Sequence, residues 1–85
     1  MRVKRYRTKP EYVEAVRLTT DNWRMVERWC DGKTVNLGAH TAMRVETDTC
    51  RVWAYEGEYV VREEDGDYLT MRETMFEECY EEVPA

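Results

Sequence analysis

The 85-residue chain contains no serine, no glutamine and no isoleucine, and it has only one histidine, one phenylalanine and two prolines. Without serine there is no Ser-His-Asp triad. The three cysteines, Cys30, Cys50 and Cys79, are spaced far more widely than the short Cys-x-x-Cys intervals of zinc sites. A Cys-His pair with His40 lacks any activating local signature. No glycine-rich phosphate loop is present. Nor is there an apolar run of the roughly 18 residues that a membrane-crossing helix requires. Carboxylates are so plentiful that a pair at glycosidase spacing would arise by chance and carries no weight alone. The expectation is therefore no catalytic residue, no cofactor and no metal, and no contact with a membrane.

An odd cysteine count cannot be paired within one chain. The basic N-terminus lacks an apolar h-region, so no secretory signal is expected. Both point to reduced thiols in a cytoplasm. The missing residue types, together with a heavy excess of Arg over Lys, follow from GC-rich codons and speak to source rather than mechanism.

What is present is charge, unevenly placed. Met1–Tyr55 carries eleven Lys/Arg and seven Asp/Glu, a net +4, whereas Glu56–Ala85 carries two against eleven, a net −9. Partners respond to where charge lies more than to its total.

The most strongly patterned stretch runs from Arg51 to Arg62 and holds Trp53, Tyr55, Tyr59, Val60 and Val61. Aromatic and β-branched residues suit a pleated, half-buried surface, and Gly57 predicts a bend or bulge within it. Asp65-Gly66 then lies between two apolar runs and predicts a type I′ hairpin. That turn would set Arg62 opposite Leu69, Val61 opposite Thr70 and Val60 opposite Met71.

Residues 2–9 read as an extended basic segment ending at Pro10. It is either a nucleic-acid arm or a charged edge strand. Tyr12–Leu18 is a predicted strand in which Glu14 interrupts an apolar run. Glu14 could serve as a carboxylate with a raised pKa, but solvation or pairing with an arginine is favoured, because unpaired buried charge is costly. Thr20 or Asp21 is expected to cap a helix reaching about Asp31, with Gly32 in the C′ position. Trp23, Met25, Val26, Trp29 and Cys30 would form its apolar side. Lys33–Thr41 reads as a loop with a short strand at Thr34–Leu37, and Ala42–Thr47 alternates as a strand. In the tail, Glu73–Glu78 suggests a helical turn carrying Met75 and Phe76, and Cys79–Val83 a closing strand with Tyr80 inward. Trp23, Val26, Trp53, Val60, Leu69 and Phe76 are expected to share one core.

Several of these residues add up to a family pattern: Lys9-Pro10, Val13-Glu14-Ala15-Val16, Asn22, Trp29, Gly57-Glu58-Tyr59-Val60-Val61-Arg62, Gly66-Asp67-Tyr68, and Met75-Phe76 with Tyr80. In these the chain resembles a family of small tailed-phage and prophage proteins with a Pro-Gly-Asp-Trp-Ile-Val-Arg-like segment. Glu56 stands where that family usually has proline, and the loop near His40 does not align. The resemblance implies a phage origin and a small α+β fold; it implies no activity, since none is established for the family.

The expected architecture is a single α+β domain, residues 1–85, with one amphipathic helix packed on a bent, mainly antiparallel sheet of about five or six strands. The expected function is that of a non-enzymatic phage accessory protein in the host cytoplasm that binds a host or phage protein. The candidate contact is the acidic tip Glu63, Glu64, Asp65 and Asp67, while acids of the tail meet the basic N-terminal strand. The alternatives are nucleic-acid binding through Arg2, Lys4, Arg5, Arg7 and Lys9, and a small-ligand-binding or enzymatic counter-defence protein. Homo-oligomerisation stays open.

Overall fold

Apolar residues at successive positions, as in Ala15-Val16 and Tyr59-Val60-Val61, require a layer on each face of the sheet that holds them. In the computed structural model, which describes residues 3–7 and 12–83, both layers are present. The described elements, in order, are β1 (Lys4–Arg7), β2 (Tyr12–Arg17), α1 (Trp23–Cys30), β3 (Lys33–Asn36), β4 (Thr41–Glu46), β5 (Arg51–Ala54), β6 (Tyr59–Arg62), β7 (Tyr68–Met71), α2 (Glu73–Cys79) and β8 (Glu81–Glu82). The fold is α+β. Its strands form two antiparallel sheets rather than one bent sheet: a five-stranded sheet ordered β7-β6-β2-β1-β8 and a three-stranded sheet ordered β3-β4-β5. A second helix, α2, accompanies the expected α1.

The period of two sorts the large sheet into two cores rather than the single one expected. Val16 and Val60 face α1 and the small sheet, where Leu18, Val26, Cys30, Met43, Val45 and Ala54 complete a buried cluster. Val13, Ala15, Tyr59 and Val61 face the other way and are covered by Phe76 of α2. Around Phe76 the rings of Tyr6, Tyr59 and Tyr80 gather, with Tyr59 stacked at 3.9 Å between centroids and Tyr6 edge-on at 4.7 Å. Tyr80 is thus inward, as its place in the tail suggested.

Trp53 belongs to neither cluster. On β5 its neighbours Val52 and Ala54 turn inward, so alternation sends Trp53 to the outer face of the small sheet, opposite Arg44. Aromatic density along the Arg51–Arg62 stretch concealed this, because the stretch is two strands in two sheets. Between them Tyr55–Glu58 forms a β-turn closed by the Glu58 amide donating to the Tyr55 carbonyl at 2.9 Å. Gly57, at φ +90°, occupies the third position, the one that a type II turn reserves for a left-handed residue. The bend foreseen at Gly57 is this turn.

Helix α1 begins after Asn22 rather than after Thr20 or Asp21. The Asn22 side chain is engaged by the preceding loop: its Oδ1 accepts from the Thr19 amide and its Nδ2 donates to the Arg17 carbonyl, both at 2.9 Å. At the other end Asp31, not Gly32, takes the left-handed conformation, at φ 53°. The Gly32 amide reaches back to the Glu27 carbonyl at 3.0 Å, a Schellman-type closure. Glycine is needed at position 32 for a different reason: a Cβ there would lie 2.9 Å from the Arg44 carbonyl oxygen and 3.0 Å from two sulfur atoms, Cys30 Sγ and Met43 Sδ. Met25 is 48% exposed instead of buried, because it sits roughly 100° around the helix from Val26, at the margin of the apolar stripe.

The β6–β7 hairpin is one residue out of the expected register: Arg62 faces Tyr68, Val61 faces Leu69, Val60 faces Thr70 and Tyr59 faces Met71. A type I′ turn needs positive φ at both central residues, and only Gly66 provides it, at +88°. The Gly66 amide donates to the Glu63 carbonyl and the Glu63 amide to the Asp67 carbonyl, each at 2.9 Å. That is a three-residue loop with a bulged glycine. Leu69 consequently packs with Val61 against Phe76, not beside Val60. Lys33–Asn36 is a full strand of the small sheet; Gly38, at φ +84°, opens the two-residue turn into β4, as in type II′ hairpins.

Phe76→Ala should cost about 3–5 kcal/mol, and Trp53→Ala markedly less; comparable losses in urea unfolding would put Trp53 back in a core. A second expectation concerns Tyr6, whose phenol is pushed up to about 12 by burial, by Tyr59 and by Glu82. The folded value exceeds the ordinary one of about 10. The fold therefore holds the proton more tightly, and this contribution is complete below about pH 10 and lost as pH rises through about 12. Tyr6→Phe should flatten the alkaline loss of stability over that window; an unchanged alkaline limb would contradict the burial of this hydroxyl.

Candidate functional cleft

Strand order decides which charges meet. Because β1 and β6 flank β2, side chains that alternate onto one face of these strands line up across the sheet. Glu14 lies opposite both Arg5 and Arg62 in register. Arg62 Nε donates to Glu14 Oε1 at 2.9 Å, and Nη2 donates to the same oxygen. Glu14 is thus paired with an arginine, as its setting in an apolar run demanded. The pairing, opposed by partial burial, pushes the Arg62 guanidinium further above its already high value.

Arg62 also lies 4.8 Å above the Trp29 ring, and Arg5 lies 5.4 Å from the centre of Tyr12. Both contacts are in the range of cation–π attraction. Tyr68 closes the group from β7: its hydroxyl donates to the Trp29 carbonyl at 3.2 Å, and its ring meets Trp29 edge-on at 5.8 Å. The C-terminal half of α1 is therefore tied to β6 and β7 by polar groups as well as by the core.

Beside this group opens a cleft of about 270 Å³ lined by Arg5, Tyr12, Val13, Glu14, Arg62, Glu63, Glu64 and Gly66. A smaller one of about 170 Å³ adjoins it and adds Asp65. The acidic hairpin tip and the basic first strand, which the sequence presents as rival sites, thus border the same depression.

Within the tip the acids divide by role. Asp67 Oδ1 accepts from the Tyr68 amide at 2.9 Å and from the Asp48 amide at 3.3 Å, so it fastens the hairpin to the β4–β5 loop. Asp65 Oδ1 accepts from the Asp67 amide at 2.9 Å, an Asx turn. Both are structural. Glu63 and Glu64 line the two clefts, and among the described residues no cation pairs with Glu64.

The basic strand divides as well. Lys4 and Arg5 alternate to opposite faces, and Lys4 Nζ bonds Glu82 Oε1 at 3.0 Å. Glu81–Glu82 pairs with β1 as a closing strand, so the acidic tail does meet the basic strand. Arg7 lies in β1 opposite Tyr12 and Glu81. Arg2 and Lys9, with Pro10, fall outside the described residues.

Cys30 is buried, and burial pushes its thiol up; Cys50 and Cys79 are exposed. No group of three or more potential metal ligands occurs among the described residues, and none of the described helices is long and apolar enough to cross a membrane. Comparison with protein-family models, with curated proteins and with solved structures found no match to this chain.

The Glu14–Arg62 pair is partly exposed, so a double-mutant cycle of Glu14→Gln and Arg62→Met should return a coupling of about 0.5–1 kcal/mol. Additive losses would mean that the pair does not form in solution.

Proposed function

We propose that this chain is a non-enzymatic accessory protein of a tailed phage, acting in the host cytoplasm by binding a host or phage protein at the cleft beside the β6–β7 hairpin. The phage setting rests on the sequence resemblance. The binding surface rests on one observation above the others: Glu64 lines both adjoining clefts and has no cation partner among the described residues. A lysine or arginine brought by a partner would supply that charge, with Tyr12 beside it as apolar contact. Acidic surface of this kind steers a basic protein patch during encounter and repels phosphate backbones. The separation of Lys4 from Arg5 across two sheet faces further weakens a nucleic-acid reading, which needs cations that track one backbone.

The test is capture from host lysate followed by association kinetics with the captured protein. Glu63→Lys/Glu64→Lys should slow association about tenfold or more at low salt and change dissociation less. Glu64→Lys alone should barely shift stability, since Glu64 has no ion pair among the described residues and Asp65 and Asp67 stay in place to hold the turn. Unchanged kinetics in the double variant would remove the hairpin from the interface. Tight, steeply salt-dependent binding of duplex DNA by the unaltered protein would replace this reading with the basic-strand one.

A further inference from the structure

A separate cleft of about 420 Å³ lies between the first residue of α1, the β3–β4 turn and the β5–β6 turn, lined by Trp23, Ala39, His40, Thr41, Tyr55 and Glu56. It shares no residue with the clefts beside the acidic hairpin. Two aromatic side chains and a carboxylate stand on its walls, and no lysine or arginine does. We propose that this cleft binds an alkylammonium cation, with the rings of Trp23 and Tyr55 as its π-faces and Glu56 as its counter-charge.

Three observations carry the assignment. First, these rings carry no cation and no stacked ring of the fold itself. The fold places its own guanidinium groups over Trp29 and Tyr12 and packs the other aromatic pairs around Phe76 and Tyr68. Among the described residues neither Trp23 nor Tyr55 has a stacked ring or an overlying cation, so the part of each ring that lines the cleft meets no cation of the fold.

Second, the carboxylate is uncommitted. Glu58, two residues on, accepts the Tyr55 amide at 2.8 Å, and Glu46 and Glu73 hold arginines. Glu56 has no ion pair or hydrogen bond among the described residues.

Third, the walls are held. The turn carrying Tyr55 and Glu56 is anchored on β2 by the Gly57 amide donating to the Leu18 carbonyl at 2.6 Å and the Leu18 amide donating to the Glu58 carbonyl at 2.8 Å. Trp23 is half-buried against the core around Val26. The third wall is fixed by the Leu37 amide on the His40 carbonyl at 2.7 Å. Such a site loses little freedom on binding. The positive end of α1 is offset nearby by Asp21, whose carboxylate accepts from the Thr19 hydroxyl at 2.7 Å. Cations held by aromatic faces and a carboxylate are recognised best when they are weakly hydrated, which favours methylated over primary ammonium.

The test follows the Trp23 indole N–H by NMR, assigned with Trp23→Phe, during titration with tetramethylammonium chloride, sodium chloride, and choline chloride beside its neutral isostere 3,3-dimethylbutan-1-ol. The expected result is a saturable shift with the two quaternary ammonium ions and none with sodium or the neutral alcohol. Tyr55→Leu and Glu56→Gln, both at exposed positions, should each weaken it roughly fivefold. Nα-acetyl-trimethyllysine methylamide identifies the source: tighter binding than tetramethylammonium points to a protein side chain, and equal binding to a free quaternary amine. No saturable shift, equal binding of the neutral isostere, or undiminished affinity in both variants would overturn the proposal.

Discussion

The structure depends on one crossing. Between Ala54 and Tyr59 the chain leaves the small sheet and enters the large one, so both sheets share a single continuous stretch of sequence. Such a short passage needs a tight reversal, and Gly57 in its left-handed conformation supplies it with no Cβ to resist. The turn is then secured on the end of β2 through the paired backbone bonds of Gly57 and Glu58 with Leu18. Leu18 is itself fully buried in the cluster between the sheets. One junction thus fixes where β2 ends, how β5 and β6 lie apart, and how Tyr55 and Glu56 are presented.

Acidic residues take up much of the remaining polar accounting, and many act on backbone amides rather than on cations. Glu27 Oε2 accepts from the Thr34 amide at 2.7 Å, which blocks a donor on the β3 edge and so protects a strand that could otherwise recruit another chain. Glu58, Asp65 and Asp67 do the same inside turns. Burial and pairing leave Glu14 and Arg62 to neutralise one another. Against that background, Glu56 and Glu64, which line clefts and have no ion pair among the described residues, stand apart from the solvated surface acids.

Much of the fold was legible in local pattern. Alternation marked β4, apolar β-branched and aromatic runs marked β2 and β6, the apolar stripe marked α1, and Phe76 with Tyr80 marked the tail. What local pattern could not reveal was partition. Val60 and Val61 are adjacent and equally apolar, yet they serve different cores, because both faces of the large sheet are covered. Trp53 looks like a core residue in composition and is placed outward by its neighbours. The hairpin register turned on whether Asp65 would adopt positive φ, and its own carboxylate settled the matter by bonding the Asp67 amide. For the site, the acids of the hairpin and the charges of β1 were visible separately. Their meeting at one cleft required the order β6-β2-β1, a long-range fact. The cleft at Trp23 and Tyr55 was hidden for the same reason, since two distant turns and the start of α1 build it.

The claim that everything else rests on is that the Leu18–Gly57 junction is as stable as the core it joins. Native-state hydrogen exchange of the Leu18 and Gly57 amides measures it directly. The account predicts that both exchange only through global unfolding, with the same opening free energy as the amide of Val60. Exchange of either through a lower-energy local opening, while Val60 stays protected, would contradict it.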